Sequence, residues 1–142
     1  MWTLWVFGDN IEEALGKVGY ALLYVGSGIG AVLTHAALYP SSEVPVVGAS
    51  GAISGVMGAY LVLYPRARIL TWIPPWFITV LSAKFFLGLW FFLQLIQGIV
   101  DHFINWVAGA ASGVAFWAHV GGFAVGWLFT RLIGGREQPT SL

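Results

Sequence analysis

The sequence predicts an all-α fold: a polytopic bundle of transmembrane helices with four full spans plus the end of a preceding helix. Three observations predict it. Of 142 residues, 58% are hydrophobic and 8% charged, with a mean hydropathy of +0.83, which leaves no polar coat for a water-soluble domain. The apolar residues gather into segments of about 20, the length a helix needs to cross a hydrocarbon core about 30 Å thick. The six basic residues all fall on one side of the threading those segments define. The net charge of zero hides that asymmetry, and nothing in it points to a nucleic-acid partner. With no cysteine and three scattered histidines, there is neither a disulfide framework nor a zinc signature. No cofactor and no metal is expected.

In chain order, Met1 to Phe7 is apolar but far shorter than a span, and reads as the last turns of a helix. It has neither the basic head nor the small-residue cleavage site of a secretory signal. Gly8 to Lys17 is expected to be a polar turn at the membrane surface, with Glu12 and Glu13 starting a short helix. Val18 to Tyr39 is the first full span, and Gly26, Gly28 and Gly30 suit it to close packing in lipid. Pro40 to Pro45 breaks it. The second span runs from about Val46 to Pro65. Arg66 and Arg68 mark a surface, and Ile69 to Ser82, interrupted by Pro74 and Pro75, is expected to lie at the interface rather than form a continuous helix. Lys84 leads into a third span, Phe85 to about Val100. Asp101 to Trp106 is expected as a loop cap, and the fourth span runs from about Ala110 to Leu132. Residues 1–134 thus form one transmembrane domain and 135–142 a polar tail.

Lys17, Arg66, Arg68, Lys84, Arg131 and Arg136 share one side of this threading, which the positive-inside rule makes cytoplasmic. The loops at 40–46 and 101–109 then face outward. With a core about 30 Å thick and a rise of about 1.5 Å per residue, counting back from Pro65 and Arg131 puts Ser50 about 8 Å and His119 about 12 Å below the outer surface. The two residues are expected at similar depth, in helices running the same way.

Their neighbours fit a meeting. Ser50, Ser54 and Gly58 recur every fourth residue on one helix face beside Gly51, Gly55 and Ala59, and Gly122 and Gly126 share the face of His119. A serine in a glycine-rich membrane helix is, taken alone, more often a packing residue. An ionisable residue inside a span is a functional candidate by default. Together they make a candidate nucleophile, Ser50, and a candidate general base and acid, His119, with the backbone N–H of Ser50 as oxyanion donor near a helix start. His35 and His102 read as solvated or loop-packing residues. Asp101, placed in a loop, is a poorer third member than none, and Trp90 to Phe92 read as lipid-facing or packing surface.

At these residues the chain resembles the rhomboid intramembrane serine proteases. Gly48-Ala49-Ser50-Gly51 is similar to the family's GxSG nucleophile motif, and Ala118-His119-Val120-Gly121-Gly122 with Gly126 to its histidine helix. Trp5 to Glu12 and Tyr64 to Arg68 resemble stretches common in bacterial members. The resemblance covers nearly the whole chain. It implies a rhomboid-like bundle in a bilayer, probing transmembrane protein substrates and cutting them near their outer ends, in a bacterial plasma (inner) membrane with the site open to the extracytoplasmic side. It also implies side-chain oxyanion donors, a His and an Asn, on a helix ahead of Met1, so the chain reads as lacking the family's first helix and most of its second. At Ser54 many members carry an aromatic ring that stacks on the histidine. Substrate is expected to enter beside the helix carrying Trp90, and the polar run Ser41-Ser42-Glu43 to rim the water access. The rival expectation is an impaired rhomboid-like pseudoprotease or fragment that holds transmembrane clients without cutting them.

Overall fold

The computed structural model describes residues 2–40, 49–73, 75, 77–109 and 114–133. The elements are α1 (Trp2–Leu38), α2 (Ser50–Leu63), β1 (Arg68–Ile73), β2 (Phe77–Ser82), α3 (Ala83–Ala108) and α4 (Phe116–Leu132). Helices α1, α2 and α4 pack closely on one another, and α3 leans on that trio more lightly. The expected helical bundle is therefore present. Both α1 and α3 are long and apolar enough to cross a membrane, and α2 is a shorter apolar helix. Large apolar side chains point outward along them, among them Leu22, Val25 and Ile29 on α1 and Phe92, Ile96 and Ile99 on α3. A contiguous apolar surface of this kind is suited to lipid rather than water.

Several expected boundaries move. The stretch Gly8 to Lys17 is not a surface turn: the chain is helical through it, and the break is confined to Gly16, at φ 71° and ψ 165°. Glu12, Glu13, Ala14 and Leu15 are good helix formers, and Phe7, Gly8 and Ile11 face inward, so the first limb has both propensity and a buried stripe. Gly16 adopts a backbone conformation that a Cβ would obstruct. Asp101 to Trp106 is not a loop cap either, but lies within α3, which ends at Gly109 in the left-handed conformation (φ 64°) with its N–H bonded to the Asn105 carbonyl. A buried carboxylate is tolerated there because Asp101 Oδ2 accepts a hydrogen bond from the Tyr39 hydroxyl at 3.1 Å.

The second helix begins at Ser50, and the expected residues before it, Val46 to Gly48, lie outside the described residues, as do Ser41, Ser42 and Glu43. The fourth begins at Phe116 rather than near Ala110, which itself falls outside them together with residues 111–113 and the tail from 134.

The segment expected at the interface is a β-hairpin. Strands β1 and β2 pair antiparallel from Arg68 opposite Ser82 to Ile73 opposite Phe77. Runs of Ile, Thr, Val, Trp and Phe with period-two burial favour strands over helix. An open two-stranded edge leaves backbone groups that need water, which keeps such a hairpin out of the hydrocarbon. Its base is pinned by bonds from Ala83 N to the Ala67 carbonyl (2.7 Å) and Lys84 N to the Pro65 carbonyl (2.9 Å).

The core is divided along α2. Around its C-terminal half, Val56, Met57, Tyr60 and Leu63 pack with Phe7, Ile11, Leu23, Leu87 and Phe123, including an edge contact between Phe7 and Tyr60 at 4.8 Å. On the face turned to α4, from Gly51 to Gly58, the packing is backbone on backbone. A Cβ on Gly126 would strike the Gly55 carbonyl, one on Gly122 the Gly51 carbonyl, and one on Gly58 the Phe123 carbonyl. Small residues let helices approach this closely in lipid, where dispersion rather than water expulsion drives association.

Candidate active site

The glycine seam fixes the level of the two candidate residues. Gly51 follows Ser50 in sequence and Gly122 lies one turn after His119, so contact between these glycines brings their reactive neighbours to the same height. Ser50 is the first residue of α2 and His119 lies in the first turn of α4. Their side chains meet: Nε2 of His119 is 2.9 Å from Oγ of Ser50. The first N–H groups of a helix have no intrahelical acceptor and carry the positive end of its dipole. Ser50 N–H, in the first turn of α2, is a donor of this kind.

Three further residues bear on His119, Ser54 at its backbone and Trp90 and Gln94 at its ring. Ser54 Oγ lies 2.7 Å from the Gly51 carbonyl of its own helix and 2.9 Å from the His119 carbonyl across the seam, its one hydrogen shared between the two acceptors. This is the position at which the resemblance implies an aromatic ring; here Trp90 of α3 lies 6.1 Å from the imidazole, centroid to centroid, with the rings tilted by 38°. On the other edge, Nδ1 of His119 is 2.9 Å from Oε1 of Gln94. Trp90 is thus a packing residue, as one of the two expected readings had it, but it packs on the site itself.

Gln94 was not among the candidates. The signal was available, since it is an uncharged polar side chain in an otherwise apolar span, and polar residues at membrane depth are functional candidates. What the sequence lacked was the rotation of α3 about its axis.

The other expected residues stay apart from the pair. Asp101 accepts a hydrogen bond from Tyr39. His35 and His102 flank the Tyr39 ring at 5.0 and 5.3 Å, a cluster beside the C-terminal end of α1. Both lie within helices, His35 in α1 and His102 in α3, and pack on Tyr39 rather than on a loop. Among the described residues no three His, Cys, Asp or Glu side chains gather as a metal site would require.

A protein-family model described as Rhomboid domain matches residues 1–136. Among curated proteins, the chain is 36% identical over 80 residues to Rhomboid protein 1, mitochondrial, of Saccharomyces cerevisiae, covering 53% of this chain and 23% of that protein. It is 31% identical over 128 residues to RHOMBOID-like protein 4 of Arabidopsis thaliana, covering 90% of this chain and 28% of the relative. With RHOMBOID-like protein 6, mitochondrial, of the same plant, it shares 32% identity over 141 residues, 99% of this chain and 39% of the relative. The chain therefore spans well under half the length of these curated relatives. No solved structure matches it.

Proposed function

The chain belongs to the rhomboid family of membrane-embedded, intramembrane protease-like proteins, and from that premise we propose that it is a serine endopeptidase that cuts transmembrane protein substrates with Ser50 and His119. The observation that carries the reading is the 2.9 Å approach of His119 Nε2 to Ser50 Oγ.

Chemically, the hydroxyl of Ser50 adds to the scissile carbonyl while Nε2 of His119 takes its proton. The oxygen that becomes negative is stabilised by Ser50 N–H at the positive end of α2. Collapse of the tetrahedral intermediate breaks the C–N bond, and the imidazolium returns the proton to the leaving amine. A water molecule, deprotonated by the same nitrogen, then hydrolyses the acyl ester and restores the Ser50 hydroxyl. A substrate helix buries its peptide carbonyls in its own hydrogen bonds, so the cut segment must first unwind. Substrates with helix-weakening residues at the cut are expected.

The level of the site follows from α2. Its 14 residues rise about 21 Å at about 1.5 Å each, less than a hydrocarbon core of about 30 Å. With Pro65 and Arg66 at the cytoplasmic surface, Ser50 lies below the outer one, and water reaches it from that side. The placement of Lys17, Arg66, Arg68, Lys84 and Arg131 supports this orientation. The likeness of Trp5 to Glu12 and Tyr64 to Arg68 to bacterial members supports a plasma (inner) membrane. Residues 1–134 form the membrane domain and 135–142 a cytoplasmic tail in this reading.

The test is covalent labelling in detergent with a fluorophosphonate probe. The chain should be labelled at Ser50, Ser50→Ala should not be labelled, and His119→Ala should react at least about 100-fold more slowly. A folded chain that never takes the probe would instead favour a protein that holds transmembrane clients without cutting them.

A further inference from the structure

Helix α3 meets the rest of the bundle along a narrow line. Of its 26 residues only Ala83, Leu87, Gly98 and Asp101 are buried. Beyond Leu87 the inward line carries Gln94, Gly98 and Asp101, which fall on one helix face at successive turns. Two of these fasten α3 in place. The Gly98 carbonyl accepts from the Trp117 indole N–H at 3.1 Å, and Asp101 accepts from the Tyr39 hydroxyl at 3.1 Å. Gln94 differs, because its partner is the imidazole itself.

An amide oxygen accepts hydrogen bonds and cannot donate them. The 2.9 Å contact between Gln94 Oε1 and Nδ1 is a hydrogen bond when the hydrogen of the neutral ring sits on Nδ1, the form this acceptor favours. The lone pair is then on Nε2, 2.9 Å from Ser50 Oγ, in the one tautomer able to receive the hydroxyl proton. Without that acceptor the Nε2–H tautomer, which neutral histidine prefers in water, competes. In that form the ring donates to Ser50 and has no lone pair facing it. Among the described residues, the ring's hydrogen-bond partners are Ser50 and Gln94.

We propose that Gln94 is the positioning residue of this site, fixing His119 as the Nδ1–H tautomer from a helix that carries neither reactive group. This rests on the reading of Ser50 and His119 as nucleophile and base, and it assigns to α3 a part in the chemistry.

The experiment is nitrogen NMR of the full chain in detergent micelles with 15N-labelled histidine, the His119 signals being identified by their loss in His119→Ala. Fluorophosphonate labelling is measured on the same samples. The unsubstituted protein should show Nδ1 protonated. Gln94→Leu removes the acceptor without adding a polar group to an apolar span. It should move His119 toward the Nε2–H form and slow labelling at least about tenfold, since the wrong tautomer disables a general base. Gln94→Asn, one methylene too short to reach, should behave like Gln94→Leu and guards against a folding defect particular to leucine. Gln94→Glu keeps an acceptor and should keep the Nδ1–H form. A His119 tautomer unchanged in Gln94→Leu and Gln94→Asn would overturn the proposal whether or not the probe reacts. A tautomer that follows Gln94 in a protein that never takes the probe would uphold the positioning role and overturn the hydrolytic reading instead.

Discussion

At the seam between α2 and α4, single atoms decide whether the site exists. Gly122 meets the Gly51 carbonyl where a Cβ would have to sit, and Ser54 Oγ would lie 2.7 Å from that carbon. Both obstacles are on the α2 backbone or its first turns, so neither can swing away. Gly122→Ala should therefore force the helices apart, costing about 1–3 kcal/mol as overpacking does, and should slow probe labelling by separating Ser50 from His119. Gly26→Ala is the control: nothing lies within 4 Å of its Cβ position, and alanine favours helix over glycine by up to about 1 kcal/mol. Unfolding in mixed micelles should show the first variant less stable and the second unchanged or more stable. Ser54→Ala removes the bond to the His119 carbonyl and should cost about 0.5–1.5 kcal/mol in the same assay. Ser50 and His119 were legible as a pair because both are chemically conspicuous in an apolar chain. Gln94 was not, because its importance depends on which way α3 is turned.

Elements end where a specific residue makes them end, and those residues are visible only in part from the sequence. The first helix passes through a polar stretch that reads as a turn, since Phe7 and Ile11 are buried on its inner face and packing outweighs surface polarity. Its actual break is Gly16, whose φ of 71° and ψ of 165° lie in a region open essentially to glycine alone, costing another residue about 1–3 kcal/mol. Gly16→Ala should lower the melting temperature in detergent, although open space surrounds its Cβ position. A variant as stable as the unsubstituted chain would show that the kink is not held in solution. Similarly, Asp101 reads as a loop residue because a lone carboxylate in a span is costly, and the bond from the distant Tyr39 hydroxyl offsets that cost where α3 continues past it. The hairpin between α2 and α3 was expected to be non-helical from its prolines, but its pairing needed the two runs to be seen side by side.

Across the whole molecule, charge placement sets the direction of the bundle in the bilayer. The hairpin and the C-terminal end of α3 lie at opposite ends of a helix of 26 residues, about 39 Å long at about 1.5 Å per residue. They should therefore face opposite sides of the membrane. Because the chain has no cysteine, single-cysteine variants report position directly. Pro75→Cys, at the hairpin turn, should be protected from a membrane-impermeant maleimide in intact cells, whereas Ala108→Cys should react. The reverse pattern would invert the orientation and place the opening toward Ser50 on the cytoplasmic side.

Composition and the spacing of apolar segments were enough to determine a membrane-embedded helical bundle, because the cost of exposing this much apolar surface to water leaves no other class open. The chemical conspicuousness of one serine and one histidine was enough to nominate them. What the tertiary structure decided is the contact geometry: the glycine seam that sets both at one height, the rotation that turns Gln94 and Trp90 of α3 toward the imidazole, and the lone glycine that bends α1. These depend on helix rotation and on backbone contacts between residues far apart in sequence, and no local pattern of residue types encodes a rotation about a helix axis.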